Sequence, residues 1–211
     1  MNKVYRIDPE NPSDDVINHA ANILDDGGVA IFPTETVYGI GSKADINFGC
    51  QDLFDIKMRS RKKPIPWLVE DGTALTQYGK DVPEYAYKLA QKFWPGALTL
   101  VVAASDEVGE DFRAPDGTIA LRSPDHEVVQ RLLRAVGLPL ITSSANTTTL
   151  PEPSRFEDIE ERILASADVA LDAGETRHRR SSSVVLCTGP EPVIWRDSAI
   201  PAEEIMAALE E

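Results

Sequence analysis

The sequence predicts an α/β domain built around a mixed, twisted β-sheet. Three observations lead there. Short apolar runs bounded by glycine or proline alternate with segments whose apolar residues recur at helical spacing. The connections are short, without a low-complexity tract or an internal repeat. Of the 211 residues, 42% are hydrophobic, enough to bury one core, so a single domain over residues 1–211 is expected.

Residues 3–7 alternate like a short strand. Ser13 reads as an N-cap with Asp14 and Asp15 in the first turn, and Val16, Ala20, Ile23 and Leu24 give the buried stripe of a helix closed by Gly27. The run 29–33 reads as a buried strand opening into a loop, followed by a short helix ending near Lys57. Residues 65–69 suggest another strand, and Pro83 begins a helix that carries Tyr85, Leu89 and Phe93 and stops at Pro95-Gly96. Strands are expected over 98–103 and 118–121, a helix over 125–136 ended by Gly137, and a strand over 138–142. Ser154 and Glu157 have capping-box spacing for a helix to about Ala165. Residues 169–171, 183–187 and 192–195 read as strands, and Pro201 starts a C-terminal helix.

The charge excludes some functions. With 35 acidic and 21 basic residues the chain carries −14, which repels a polyanion and disfavours broad nucleic-acid binding. No apolar run would span a bilayer, and residues 1–6 lack the apolar core of a leader, so a cytoplasmic protein without membrane attachment is expected. Cys50 and Cys187 lack CxxC spacing and are expected to be buried free thiols. Trp67, Trp94 and Trp195 are expected in core or rim packing, and His126 in the first turn of its helix without a chemical role. Two basic islands stand out: Lys57, Arg59, Arg61, Lys62 and Lys63, and residues 177–180. Converging in space, they would make an anion site.

Four polar clusters fall at element ends: Thr34 to Tyr38, Lys57 to Lys63, Arg122 with Ser143 to Asn146, and 180–183 with Arg196. Strand exits are where α/β proteins place ligand groups. Lys57 and Arg59 would either complement the dipole at a helix end or, as point charge and bidentate fork, clamp a polyphosphate. Arg122 at a strand end would either point to water or grip a carboxylate. Phosphate-loop, dinucleotide, zinc-protease and serine-elbow motifs are all missing.

Together the clusters resemble the YrdC/YciO family, in its threonylcarbamoyl-AMP synthase branch. The resemblance rests on GGVAIFPTETVYGIG (27–41), IKMRSRKKP (56–64), FWPGALTLV (93–101), IALRSP (119–124), PLITSSAN (139–146), SSSVV (181–185) and VIWRDSAI (193–200), in family order over almost the whole chain. It implies a three-layer α+β fold whose twisted mixed sheet, flanked by helices, carries a deep, positively lined cavity. It also implies an enzyme joining L-threonine, bicarbonate and ATP into threonylcarbamoyl-adenylate with release of pyrophosphate. The product would pass to a tRNA-modifying transferase complex, tRNA contact being weak or indirect. By the same matching Lys57, Arg59, Ser144 and Asn146 form a catalytic tetrad at the nucleotide. Thr34, Arg122, Thr142 and Ser182 would meet threonine, and Thr118 and Arg196 would help hold ATP. Magnesium is expected to arrive with the phosphates, without a protein cage. Glu35, the one acid in the strongest motif, reads as a supporting or metal-water contact and is given no role as a base. The chain departs from the family at Thr148-Thr149, where many members have Ser-Gly, and the second domain of longer members is expected to be absent. Two alternatives stay open. One is a YciO-type paralogue of weak or different activity, which usually lacks an intact SxN. The other is a non-catalytic RNA-binding or ribosome-associated protein, which the net charge argues against.

Overall fold

The computed structural model describes residues 3–45, 56 and 65–210. Within them β1 (Val4–Arg6) leads to α1 (Asp14–Asp25), β2 (Ala30–Phe32), β3 (Gly39–Lys43) and β4 (Pro66–Leu68). Next come α2 (Thr73–Tyr78), α3 (Glu84–Phe93), β5 (Leu98–Ala103), β6 (Thr118–Arg122), α4 (Glu127–Val136) and β7 (Leu140–Ser144). The chain continues through α5 (Glu161–Ser166), β8 (Val169–Asp172), β9 (Ser183–Leu186), β10 (Val193–Arg196) and α6 (Ala202–Ala207).

The strands form one mixed sheet in the order β1-β8-β2-β3-β7-β4-β6-β5-β9-β10. Pairing is parallel for β1/β8, β2/β8, β4/β6 and β5/β9 and antiparallel elsewhere. Successive strand residues face opposite sides. One side carries Ile40, Ile141, Trp67, Leu121, Leu100 and Val185 into the larger core, which takes in Leu75 of α2, Leu89 of α3, Ile163 of α5 and Ile205 of α6. The other side is covered only at one end, where Phe32, Leu68, Leu140 and Leu171 meet the apolar stripes of α1 and α4. Further along that side Val101, Ala120 and Val184 form a small cluster that contains no helical residue. Among the described residues, helices pack against one side and against one end of the other, and the cavity lies over the remaining part.

Most predicted elements are present, with ends shifted by one or two residues. Ser13 occupies the N-cap of α1 in extended backbone, but its hydroxyl makes no capping bond. Gly137 closes α4 in the left-handed conformation, at φ 68°. Cys187 is a buried free thiol, pushed up to about 12 by burial. Trp67 is core and Trp94 half-buried. The short helix expected to end near Lys57 and the thiol of Cys50 lie outside the described residues.

Three expectations need correction. The segment after β2 contains β3, whose two glycines hide its strand character. The space at Gly41 explains one of them, since a Cβ there would run into the Ile141 carbonyl oxygen of β7. Helix α2 is unforeseen. The capping box at Ser154 and Glu157 is not formed: Arg155 bridges to Glu175, and a 3-10 turn at Phe156–Asp158 ends in the extended Ile159, so α5 starts only at Glu161. The backbone there is engaged by a neighbouring segment, with Thr176 donating to the Ser154 carbonyl at 2.8 Å.

Gly41→Ala is expected to keep the fold but cost about 1–3 kcal/mol of stability, the usual range for overpacking. Urea unfolding measures it; an unchanged midpoint would show that β3 and β7 can separate freely.

Candidate functional site

The open half of the sheet floors a cavity of about 400 Å³. Alternation decides what it contains. Gly39 of β3, Thr142 and Ser144 of β7, Leu68 of β4 and Ala120 and Arg122 of β6 reach it from one end. Thr99 and Val101 of β5, then Ser182 and Val184, line the other. At β10 the pairing shifts between Ile194 and Arg196, and this irregularity lets the neighbours Trp195 and Arg196 both line the cavity. The loop 33–38 between β2 and β3 supplies Thr34, Thr36, Val37 and Tyr38.

That loop is held by its own hydroxyls. Thr34 Oγ1 donates to the Val37 carbonyl at 2.7 Å, lies 2.8 Å from Thr36 Oγ1 and accepts from the Thr36 and Val37 amides. The Tyr38 hydroxyl donates to the Gly174 carbonyl at 2.8 Å and accepts from the Ala173 amide at 3.0 Å. Burial pushes this phenol well above its usual range, so it stays a donor. Thr34 therefore forms part of the wall with its hydroxyl already engaged. Thr142 Oγ1 turns toward the Ile40 carbonyl, 3.3 Å away.

At the other end Arg196 donates from Nε to the Ser182 carbonyl at 2.8 Å and from Nη2 to Ser182 Oγ at 3.2 Å, while Thr99 and Ser182 share a hydrogen bond of 2.8 Å. Burial lowers the pKa of Arg196, the charge of Arg122 adds to that, and Glu152 opposes it. The two guanidinium groups thus feel one another. Arg122 and Arg196 are the cations among the described lining residues, and Glu152 is the carboxylate.

Arg122 is 7% exposed and Glu35, behind it, 1%. Arg122 Nη2 lies 2.7 Å from Glu35 Oε1, and Nε donates to the Gly96 carbonyl at 3.3 Å. The contact with Glu35 runs off the N–H direction, so neither Glu35 oxygen nor Nη2 completes a hydrogen bond among the described residues. His126, at the N-cap of α4, has a buried Nδ1 in the same condition. Burial lowers its pKa from 6.5 to about 4, with smaller effects of Glu35, Arg177, Asp125 and Glu127.

Of the residues marked in the sequence, the cavity gathers Thr34, Arg122, Thr142, Ser144, Ser182 and Arg196. Asn146 stands just behind, accepting from Ser144 Oγ at 2.7 Å and donating to the Leu150 carbonyl. Thr118 does not join them. It lies at the far end of β6, opposite Ala103, with its hydroxyl donated to Asp116 at 2.6 Å. Lys57, Arg59 and the rest of their basic island lie outside the described residues, so its convergence with residues 177–180 is not described either. In the second island Arg177 and Arg179 pair with Asp125 and Glu175. The sequence reading missed Thr99 and Trp195. Thr99, a hydroxyl inside the apolar run of β5, was the available signal. Trp195 is 53% exposed at the rim, and only the irregularity in β10 turns it inward.

A family model for Sua5, YciO and YrdC proteins, described as telomere recombination, matches residues 22–198. The chain belongs to this family. It is 33% identical to a threonylcarbamoyl-AMP synthase of Pyrococcus abyssi over 92% of its own length and 57% of that protein's. It thus spans just under three fifths of that relative. It is 32% identical to a threonylcarbamoyl-AMP synthase of Vibrio parahaemolyticus over 81% of the chain and 93% of the relative. The structure of P. abyssi Sua5 complexed with L-threonine aligns with a TM-score of 0.92 at 32% identity, covering 98% of the chain and 61% of that one. The twisted mixed sheet flanked by helices is therefore the fold of the family.

The His126 environment predicts an acid-sensitive fold. Its folded pKa lies below the unfolded value of 6.5, so the unfolded chain binds the extra proton. This contribution is complete above 6.5 and is lost as the pH falls toward about 4. His126→Gln should therefore lose less stability than the parent between neutral pH and 4.5, measured by urea unfolding at both values. Equal losses would show that His126 titrates as if in water.

Proposed function

We propose that this chain is a threonylcarbamoyl-AMP synthase, a cytoplasmic nucleotidyltransferase that uses L-threonine, bicarbonate and ATP and releases pyrophosphate. One observation carries the reading. Hydroxyls and two guanidinium groups from six separate parts of the chain meet in one cavity, on a fold that aligns with a relative complexed with L-threonine.

The chemistry asks for positioning and charge neutralisation. The threonine amine takes up bicarbonate with loss of water to give a carbamate. A carbamate oxygen then bonds to the α-phosphorus of ATP as the bond to the bridging oxygen breaks and pyrophosphate leaves. No side-chain nucleophile is needed; holding the reactants in line and opposing their negative charge suffices. In this reading Arg122 takes the threonine carboxylate, and Thr142 and Ser182 flank the amino acid. Arg196, Ser144 and Asn146 serve the nucleotide together with Lys57 and Arg59, whose roles rest on the sequence resemblance. Thr34 shapes the wall that threonine meets.

In this reading magnesium arrives with ATP and is held mainly by the phosphates. The adenylate would then pass to a separate tRNA-modifying transferase, and a chain of charge −14 has little means of holding tRNA itself. Among the described residues no helix is long and apolar enough to cross a membrane.

The pure protein incubated with labelled bicarbonate, L-threonine and ATP should yield pyrophosphate and a labelled adenylate, both dependent on threonine. ATP consumption without threonine dependence would sink the proposal. Arg122→Lys keeps the charge but loses the fork and should raise the KM for threonine about tenfold, a change of about 1.4 kcal/mol, with little effect on that for ATP. Arg196→Ala should do the reverse. Kinetics with each substrate varied in turn would expose an exchange of these two roles.

A further inference from the structure

We propose that Glu35 is a positioning residue, whose buried carboxylate fixes the direction in which Arg122 offers its guanidinium to the cavity and so sets the affinity for the carboxylate of an amino-acid substrate. The inference rests on the reading of Arg122 just given and adds a residue that does not touch the substrate.

The geometry carries it. Arg122 lines the cavity; Glu35 does not, and is sealed behind it. The guanidinium is held from two directions, by Glu35 Oε1 at 2.7 Å from Nη2 and by the Gly96 carbonyl at 3.3 Å from Nε. Gly96 is itself fixed, its amide donating to the Ser123 carbonyl at 2.7 Å. Glu35 is fixed through its backbone, its carbonyl accepting from the His178 amide at 2.8 Å. A guanidinium so clamped has the Nη1 edge left for a ligand.

Stability is a poor reason for this arrangement. Both charges are withdrawn from water, and neither Glu35 oxygen gains a hydrogen bond among the described residues in return. An apolar pair would fill the space at least as well. What an apolar pair could not do is aim a planar fork, and misplacing a binding group by about 1 Å costs up to about a hundredfold.

The test compares Glu35→Gln, Glu35→Asp and the parent protein by calorimetric binding of L-threonine and of ATP. Glu35→Gln should weaken threonine binding about tenfold or more while ATP binding changes by less than about threefold. Glu35→Asp, which keeps the charge at shorter reach, should recover part of the loss. In turnover the KM for threonine should rise more than kcat falls. Unchanged threonine binding by folded Glu35→Gln, or an equal loss for both ligands, overturns the proposal. A second measurement needs no substrate. Arg122→Met strands a buried carboxylate, so its urea midpoint should lie below that of Glu35→Gln/Arg122→Met. Additive midpoints would mean that the two side chains do not act as a pair. Failure of the parent protein to bind threonine would refute the substrate reading, and the midpoints would still decide whether Glu35 and Arg122 are coupled.

Discussion

A strand sends neighbouring side chains to opposite faces, and this constraint organises the molecule. In β5, β6 and β9 it assigns Leu100, Leu121 and Val185 to the core and Val101, Ala120 and Val184 to the far side, where no described helix joins them. Covering the second face completely would have given a stable layered domain without a cavity. Helices α1 and α4 stop short, and the part of the sheet that no described helix covers is the floor of a cavity with a hydrogen-bonded frame. The family fold thus supplies the site by what it leaves bare. Where two adjacent residues must face the same way, at Trp195 and Arg196, the pairing of β10 is irregular.

Charge is arranged on two scales. The chain as a whole is strongly acidic, yet the described lining of the cavity holds two arginines against one carboxylate. At physiological salt, charges further apart than about 8 Å are largely screened, so the surface excess and the local field act independently. A small anion that reaches the cavity meets guanidinium groups in partly desolvated surroundings, while a long polyanion meets the outer surface first. This separation favours a small anion over a long polyanion at the cavity.

Legibility in the sequence followed the strength of local signals. The helices α1, α3 and α4 announce themselves by apolar spacing and by Gly137, and β5 by an unbroken apolar run. Strand β3 was hidden because its glycines answer to tertiary crowding against β7, which no local pattern reveals. The helix expected from Ser154 failed for a related reason, since residues 175–176 claim the backbone that would have started it. At the site, the residues named from motif resemblance largely converge, because the motifs coincide with strand ends that share a face. Thr118 stands apart because its position on β6 is right in face but wrong in height, and its hydroxyl is committed to Asp116. Glu35 could be marked from the sequence, but its place behind Arg122 depends on how the loop 33–38 folds back.

That loop is finished before any ligand arrives. Thr34 accepts and donates within its own turn, and Tyr38 is strapped to residues 173–174, so this wall has little conformational freedom left to surrender. Association with a rigid wall forfeits less entropy than association with one that must first be ordered. On this side of the cavity, discrimination between a ligand of the right shape and one a methyl group larger becomes a matter of steric fit against an unyielding surface.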